Sequence, residues 1–320
     1  MTTYLEFEKP IAELESKIAE LRHLPNSGDV DIAEEVMRLQ DKVQKQIRAT
    51  YARLTPWQRV LVARHAERPH AQRYIDRLIT DYTPLAGDRS FGEDSAIVGG
   101  MGRLQGRSIV VLGQEKGDDT DSRIKHNFGM ARPEGYRKAQ RLMKLAERFR
   151  LPVVTFVDTP GAYPGMDAEA RGQAEAIAQN LREMARLRVP VIVIVIGEGG
   201  SGGALALGVG NRVYMLENAV YSVISPESCA SIIYRDASKA PLAAASLKMS
   251  APELKHLGLI DGIVPEPGEG AHTDHDSAAE HVRDTLRAAL AELQSLSAEQ
   301  LIEDRYQKFR RMGAFFEEAA

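Results

Sequence analysis

The residues best suited to chemistry lie in one stretch, VIVIVIGEGGSGGALALG, over 191–208. An apolar β-branched run ends at Ile196, five glycines follow between Gly197 and Gly203, and a small-residue helix is predicted from about Gly202. The first N–H groups of a helix lack internal partners and sit at the positive end of its dipole. A negative oxygen is stabilised there, whether on a phosphate or on an enolate. Glycines also let a ligand approach the backbone without a Cβ in the way. Close packing of a helix on a sheet selects the same small residues.

Three chemical readings compete for this turn. A phosphate loop ends in Gly-Lys-Ser/Thr, and no lysine occurs between Leu151 and Asp236, which removes that reading. Gly199-Gly200-Ser201-Gly202-Gly203 also fits the G-x-S-x-G elbow of serine hydrolases. Its acid and base would come from Asp261 with His272, His275 or His281, in or near the polar run GEGAHTDHD, which reads as a surface loop. The third reading is an oxyanion hole with no nucleophile.

A second constellation, Asp158-Thr159-Pro160-Gly161-Ala162-Tyr163-Pro164-Gly165, follows the preceding apolar run Val153–Val157. In a parallel sheet the C-terminal strand ends face one crevice, so this loop and the Gly197 turn would border a common site. Asp158 alone makes no metal site, and its simpler role is a cap. Tyr163 is a packing residue or a wall for a flat ring. A third stretch, Lys125–Lys138, gathers cations around a helix start, where they oppose the dipole unless an anion or partner offsets them.

The elements that must hold these groups read as follows. Ile11, Leu14, Ile18 and Leu21 form one helical stripe and Ile32, Val36, Leu39, Val43 and Ile47 a second, broken between them at Pro25-Asn26-Ser27-Gly28. That predicts a helical hairpin within a helical first 80 or so residues. Thr55-Pro56 predicts an N-cap and first turn. Ala96–Gly99 and Ser108–Leu112 read as a hairpin, and Gly117–Lys125 as a charged mobile loop. Pro133–Arg150 reads as a helix with Tyr136, Ala139, Leu142, Ala146 and Phe149 on one face. Helix over Ala168–Arg188 and strands over Val191–Ile196, Arg212–Leu216, Val220–Ile224 and Gly262–Val264 complete an α/β pattern with a covered parallel sheet. A helical tail follows from Ser277, with Leu286, Leu290 and Leu293 along an apolar stripe. The expected division is a helical region over 1–85, a core over 86–270 and a helical segment over 271–320.

Composition narrows the class. The chain has 320 residues, 41 Lys+Arg against 45 Asp+Glu, and a net charge of −4, which argues against a general nucleic-acid binder. Cys229 is the only cysteine, so neither a disulfide nor a cysteine zinc site forms within the chain. No signal peptide or stretch long enough to span a bilayer is read, and the expected location is the cytoplasm.

Taken together, LEFEKPIAELESKI, HNFGMARPEGYRKAQRLM, TFVDTPGAYPG, GQAEAIAQNLREMARLRVPVIVIVIGEGGSGGALALGVG, YSVISPESCASI, KAPLAAASLKMS and LGLIDGIVPEP resemble the α-subunit family of bacterial acetyl-CoA carboxylase carboxyltransferase. They cover nearly the whole chain in order. The resemblance implies a crotonase-like spiral of ββα units, with an N-terminal helical hairpin and a helical C-terminal tail. It implies transfer of a carboxyl group from biotin, carried on the biotin carboxyl carrier protein, to acetyl-CoA, giving malonyl-CoA for fatty acid synthesis. Biotin is then not attached to this chain, and no metal is bound by it. The implied partners are a zinc-ribbon β subunit in an α2β2 assembly, the carrier and biotin carboxylase.

By the same resemblance the backbone amides of Gly202 and Gly203 form an oxyanion hole for the biotin carbonyl oxygen, and the β subunit's hole holds the thioester enolate. Gly161, Ala162, Tyr163, Gly199 and Gly200 would shape the substrate side. Ser201 becomes a turn residue, and no side-chain acid or base is required. The alternatives are another acyl-CoA enzyme of the same superfamily, a hydratase or isomerase with Glu198 as its acid or base, and a non-catalytic scaffold subunit whose glycines serve packing only. Arg132 stands where the family usually has a neutral residue and Asp167 at a variable position, so neither is given a role.

Overall fold

The structure, a computed structural model, describes residues 3–23 and 32–313. The predicted break at Pro25–Gly28 and the end of the tail lie outside these residues. Helices α1 (Lys9–His23) and α2 (Ile32–Tyr51) pack along each other. Ile11, Ile18, Val43, Ile47 and Tyr51 make a small core of their own with Leu54 and Val62, as the two apolar stripes require. Helix α3 (Pro56–Ala63) starts as expected: Thr55 Oγ1 accepts the Gln58 N–H, and Pro56 sits in the first turn. Helix α4 (Ala71–Leu78) runs into a strand the sequence did not announce, β1 (Ile79–Pro84).

Strand β1 pairs antiparallel with β2 (Ile97–Leu104), and β2 with β3 (Arg107–Gln114). Between β2 and β3 only Gln105 and Gly106 intervene, both at positive φ (48° and 81°), which is the tight hairpin geometry that suits strand twist. The segment expected to be a loop instead holds helix α5 (Thr120–Lys125), because Asp119 caps it by accepting the Ser122 N–H at 2.8 Å. Helix α6 (Pro133–Phe149) buries Tyr136, Ala139, Leu142 and Ala146 as predicted. Phe149 is exposed: it is the last residue, and the buried face is already complete at Ala146.

From β3 onward the sheet is parallel: β4 (Val153–Thr159) beside β3, β5 (Val191–Gly200) beside β4, β6 (Arg212–Leu216) beside β5, and β8 (Gly262–Val264) beside β6. The expected Ala168–Arg188 helix is two, α7 (Met166–Ala170) and α8 (Gln173–Arg186), because Gly172 takes a left-handed φ of 84° between them. Strand β5 is long enough for two neighbours on one side. Ile192–Val195 pairs with β6, and Glu198–Gly200 pairs with β7 (Val220–Ser222). The stretch read as a turn from Gly197 is therefore strand through Gly200, and the chain turns only at Ser201.

Helix α9, the small-residue helix predicted from about Gly202, is short, Ser201–Leu205. Helices α10 (Pro226–Tyr234), α11 (Ala240–Leu247), α12 (Ala251–His256), α13 (His275–Leu293) and α14 (Ala298–Arg310) complete the chain. Burial of Leu286, Leu290 and Leu293 realises the apolar stripe of the tail. Among the described residues no helix is long and apolar enough to cross a membrane.

Candidate active site

Strands β4 and β5 are adjacent and parallel, so the two loops singled out in the sequence do emerge side by side. Their contact is backbone on backbone. A Cβ at Gly200 would lie 2.2 Å from the Pro160 carbonyl oxygen, and one at Gly203 would lie 2.7 Å from Ala162 N. At Gly199 it would strike the Tyr221 ring at 2.7 Å. These glycines are there because the β4 loop, the end of β5 and helix α9 are clamped without room for side chains. Gly161 and Gly202 differ: nothing lies near a Cβ on Gly161, and only Ile177, at 3.8 Å, near one on Gly202.

Helix α9 begins at Ser201, whose φ of 52° gives the chain its sharp change of direction. The amides of Ser201, Gly202 and Gly203 are its first three and so have no acceptor within the helix. Beside them, Tyr163 N–H donates to the Ala131 carbonyl at 3.1 Å, and Gln173 Nε2 donates to both Ala131 and Tyr163 carbonyls. The Arg132 guanidinium lies 4.5 Å from the Tyr163 ring centre and 3.9 Å from Asp167, so its charge is spent on the loop rather than left bare at the start of α6.

Under the glycine strand lies a buried ionic cluster that sequence reasoning missed. Asp158 Oδ1 accepts the Glu198 N–H at 3.0 Å and stands 2.8 Å from Lys116 Nζ, while Oδ2 is 2.7 Å from His70 Nδ1. Lys116 also donates to Glu198 Oε2 at 2.8 Å, and Arg64 Nε donates to Glu198 Oε1 at 2.6 Å and reaches Glu227. Burial by itself would raise the Asp158 carboxyl, but Lys116 and then His70 outweigh it and hold it well below the usual range. Burial is likewise outweighed at Glu198, which Lys116 and Arg64 push down, and at Lys116, which Asp158 and Glu198 push up. Asp158 is thus the hub of a charge network, not a loop cap. Its partners lie 40 to 88 residues away in sequence, and no local spacing signals them.

The same geometry tests the rival chemistries. Ser201 stands at a strand–helix junction, as an elbow serine would, but its histidines are engaged elsewhere. His272 stacks on His65 with ring centres 4.0 Å apart, His275 Nε2 bonds the Glu67 carbonyl, and His281 Nδ1 bonds the Pro265 carbonyl. Burial, then His65, lowers the His272 pKa to about 3. Asp261 accepts the Val213 N–H and pairs with Lys308. No triad assembles. Glu198, held ionised by two cations, is poorly suited to donate a proton. Among the described residues no group of His, Cys, Asp and Glu is placed to hold a metal ion.

Residues 4–313 match the model of a family described as acetyl co-enzyme A carboxylase carboxyltransferase-like. The chain belongs to this carboxyltransferase family. It is 59% identical over 309 residues to the acetyl-coenzyme A carboxylase carboxyl transferase subunit alpha of Paramagnetospirillum magneticum, covering 97% of this chain and 98% of that one. The subunit of the same name from Gluconacetobacter diazotrophicus is 59% identical over 313 residues, covering 98% of each. Among solved structures, a transcarboxylase 12S with methylmalonyl-coenzyme A bound superposes with a TM-score of 0.59 at 20% identity. The match covers 73% of this chain and 44% of that one, so the chain spans less than half of the transcarboxylase chain. The family and the shared architecture agree with the crotonase-like fold the resemblance implied. As an enzyme family its members are carboxyl transferases.

Proposed function

We propose that this chain supplies one half of a carboxyltransferase active site, the amides of Gly202 and Gly203 forming an oxyanion hole for the carbonyl oxygen of biotin. The observation that carries the reading is the contrast between the two glycines. Gly203 is locked against the Gly161–Ala162 peptide, while Gly202 leaves free space beside donors that have no helical acceptor. Donors fixed in this way need no reorganisation as negative charge develops, which is the basis of oxyanion stabilisation. Gly161, Ala162, Tyr163, Gly199 and Gly200 would form the wall around the biotin ring, with Tyr163 held in place by Arg132.

In this reading carboxybiotin arrives on the biotin carboxyl carrier protein, charged by biotin carboxylase, and serves as carboxyl donor to acetyl-CoA, giving malonyl-CoA. A zinc-ribbon β subunit holds the thioester, two of each chain assemble, and the complex works in the cytoplasm. Support for a partner comes from α10 and α11 with the segment before them. Val223, Ile232, Ile233 and Leu242 are large apolar residues left mostly exposed, the mark of an interaction surface. The hydratase alternative is disfavoured by the ionised Glu198, and a purely scaffolding role by the free space at Gly202.

The test is Gly202→Val in the complex reconstituted with its partner subunit. Carboxyl transfer should fall by about 10²-fold or more, the usual effect of losing one oxyanion donor, with thermal stability unchanged. Turnover within about twofold of the native complex overturns the reading. Ser201→Ala should retain near-native transfer, as a turn residue would.

A further inference from the structure

Helix α9 is only five residues long, and its carbonyls are not all satisfied by the backbone. Ala206 N–H bonds the Gly202 carbonyl, but Leu207 N–H bonds Ala204, which leaves the Gly203 carbonyl without a backbone donor. A buried carbonyl in that state costs free energy unless a side chain reaches it. Gln114 does: its Nε2 donates to the Gly203 oxygen at 2.7 Å. Its Oε1 accepts the Asp158 N–H at 3.1 Å. The β3–β4 ladder has by then run out, its last pair being Gly113 with Phe156, so the side chain continues the ladder where the backbone cannot. Gln114 is wholly buried.

We propose that Gln114 is a positioning residue for carboxyl transfer, its amide coupling the Asp158 backbone to Gly203 and so fixing the direction of the Gly202 and Gly203 N–H groups. This rests on the oxyanion reading above. The Gly203 carbonyl shares its peptide plane with the Ala204 N–H and lies across one Cα from the Gly203 N–H, so holding that carbonyl limits rotation of the turn that carries the Gly202 and Gly203 donors. Rotation of that turn by a fraction of an ångström misaims both donors. Such misplacement costs rate rather than ground-state binding.

Two variants in the complete enzyme test this. Gln114→Met keeps the volume and removes both bonds. It should lower kcat about 30-fold while KM for acetyl-CoA stays within about twofold, since the thioester would be held by the partner subunit. Gln114→Glu separates donor from acceptor. When protonated, the introduced carboxyl can accept from Asp158 N–H and donate to the Gly203 carbonyl as the amide does. When ionised it loses the donor and sets a charge against that carbonyl. The charged groups facing this spot are Asp158, with Lys116 and His70 bound to it, since α9 carries none. The kcat of Gln114→Glu relative to native should therefore fall by about tenfold or more as pH rises from 6 to 9.

A ratio that stays flat with pH, or kcat within about threefold of native in both variants, overturns the inference. So does a rise in KM matching the loss in kcat/KM. Gly202→Val keeps the two claims apart. If it abolishes transfer while the Gln114 variants are normal, only the positioning role fails. If it leaves transfer intact, the oxyanion reading fails as well.

Discussion

A single methyl group placed at Gly203 or at Gly202 should have opposite consequences for stability, and the distances say by how much. At Gly203 the added Cβ would sit 2.7 Å from Ala162 N and from Gly161 C, where ordinary contact begins at 3.4 Å. The first turn of α9 and the β4 loop must then separate by about 0.7 Å, and both faces are backbone. Neither side yields freely, because Gln114 ties α9, while Ala131 and Gln173 tie the loop. Overpacking of this kind costs about 1–3 kcal/mol, offset by about 0.5–1 kcal/mol from replacing glycine with alanine in a helix. A net loss of about 1–2 kcal/mol lowers Tm by roughly 1.5–3 °C in a chain of this size. The same displacement moves the Gly203 amide, so transfer should slow by about 10²-fold. At Gly202 the methyl meets only Ile177 at 3.8 Å, so Gly202→Ala should keep or slightly raise Tm while slowing transfer. Calorimetric unfolding and malonyl-CoA formation by the reconstituted complex read the two effects separately. An unchanged Tm for Gly203→Ala, or equal effects at both positions, would refute the clamp.

Asp158→Asn should destabilise by about 3–5 kcal/mol at neutral pH, because Lys116 loses one of its two buried counter-charges and His70 its buried carboxylate partner. Since the folded state holds the Asp158 carboxyl well below its ordinary value, its contribution is present at neutral pH, begins to fall only as pH drops below about 4, and is lost in full only below the much lower folded value. Denaturant unfolding at pH 7 and pH 3.5 should show the gap between native and variant narrowing by no more than about 1 kcal/mol. Glu269 runs the other way: burial, then Glu15 and Glu8, raise its pKa to about 7. Folding is favoured while this carboxyl is protonated and loses that help as pH rises to about 7, so Glu269→Gln should be more stable than native at pH 8 and equal to it at pH 5. Equal melting curves at pH 8 would exclude it. Arg305→Met should cost about 3–5 kcal/mol, read by denaturant unfolding, because the Met184, Leu187 and Val189 carbonyls between α8 and β5 all depend on that guanidinium.

The sequence was legible where one element carried its own signal. Thr55-Pro56, the Val191–Ile196 run and the paired stripes of α1 and α2 each state a local rule, and each formed as read. The errors came where a neighbour decides. Gly197–Gly200 looked like a turn because glycine favours turns, but pairing with β7 on one side and β4 on the other keeps it extended. Asp119 alone converted an expected loop into α5. Arg305, within a tail read only for its leucines, caps carbonyls more than 100 residues away. The cluster around Asp158 is the extreme case, since His70, Lys116 and Glu198 come from three separate stretches and meet only when α4, β3 and β5 converge on β4.

That convergence bears on what kind of catalyst the chain can be. An acid–base residue works best with a pKa near the operating pH. Here the groups closest to the glycines are driven the opposite way: Asp158, Glu198 and Glu227 downward, Lys116 upward. Each is fixed in its charged form and committed to another fixed charge. Proton transfer through them would mean breaking a buried pair, at a cost of about 3–5 kcal/mol before any chemistry begins. The cluster is built to hold a shape, and the shape it holds is the end of β5. That agrees with the proposed site, in which this chain offers a reacting group backbone N–H at set positions, with the charges spent underneath on keeping those positions set.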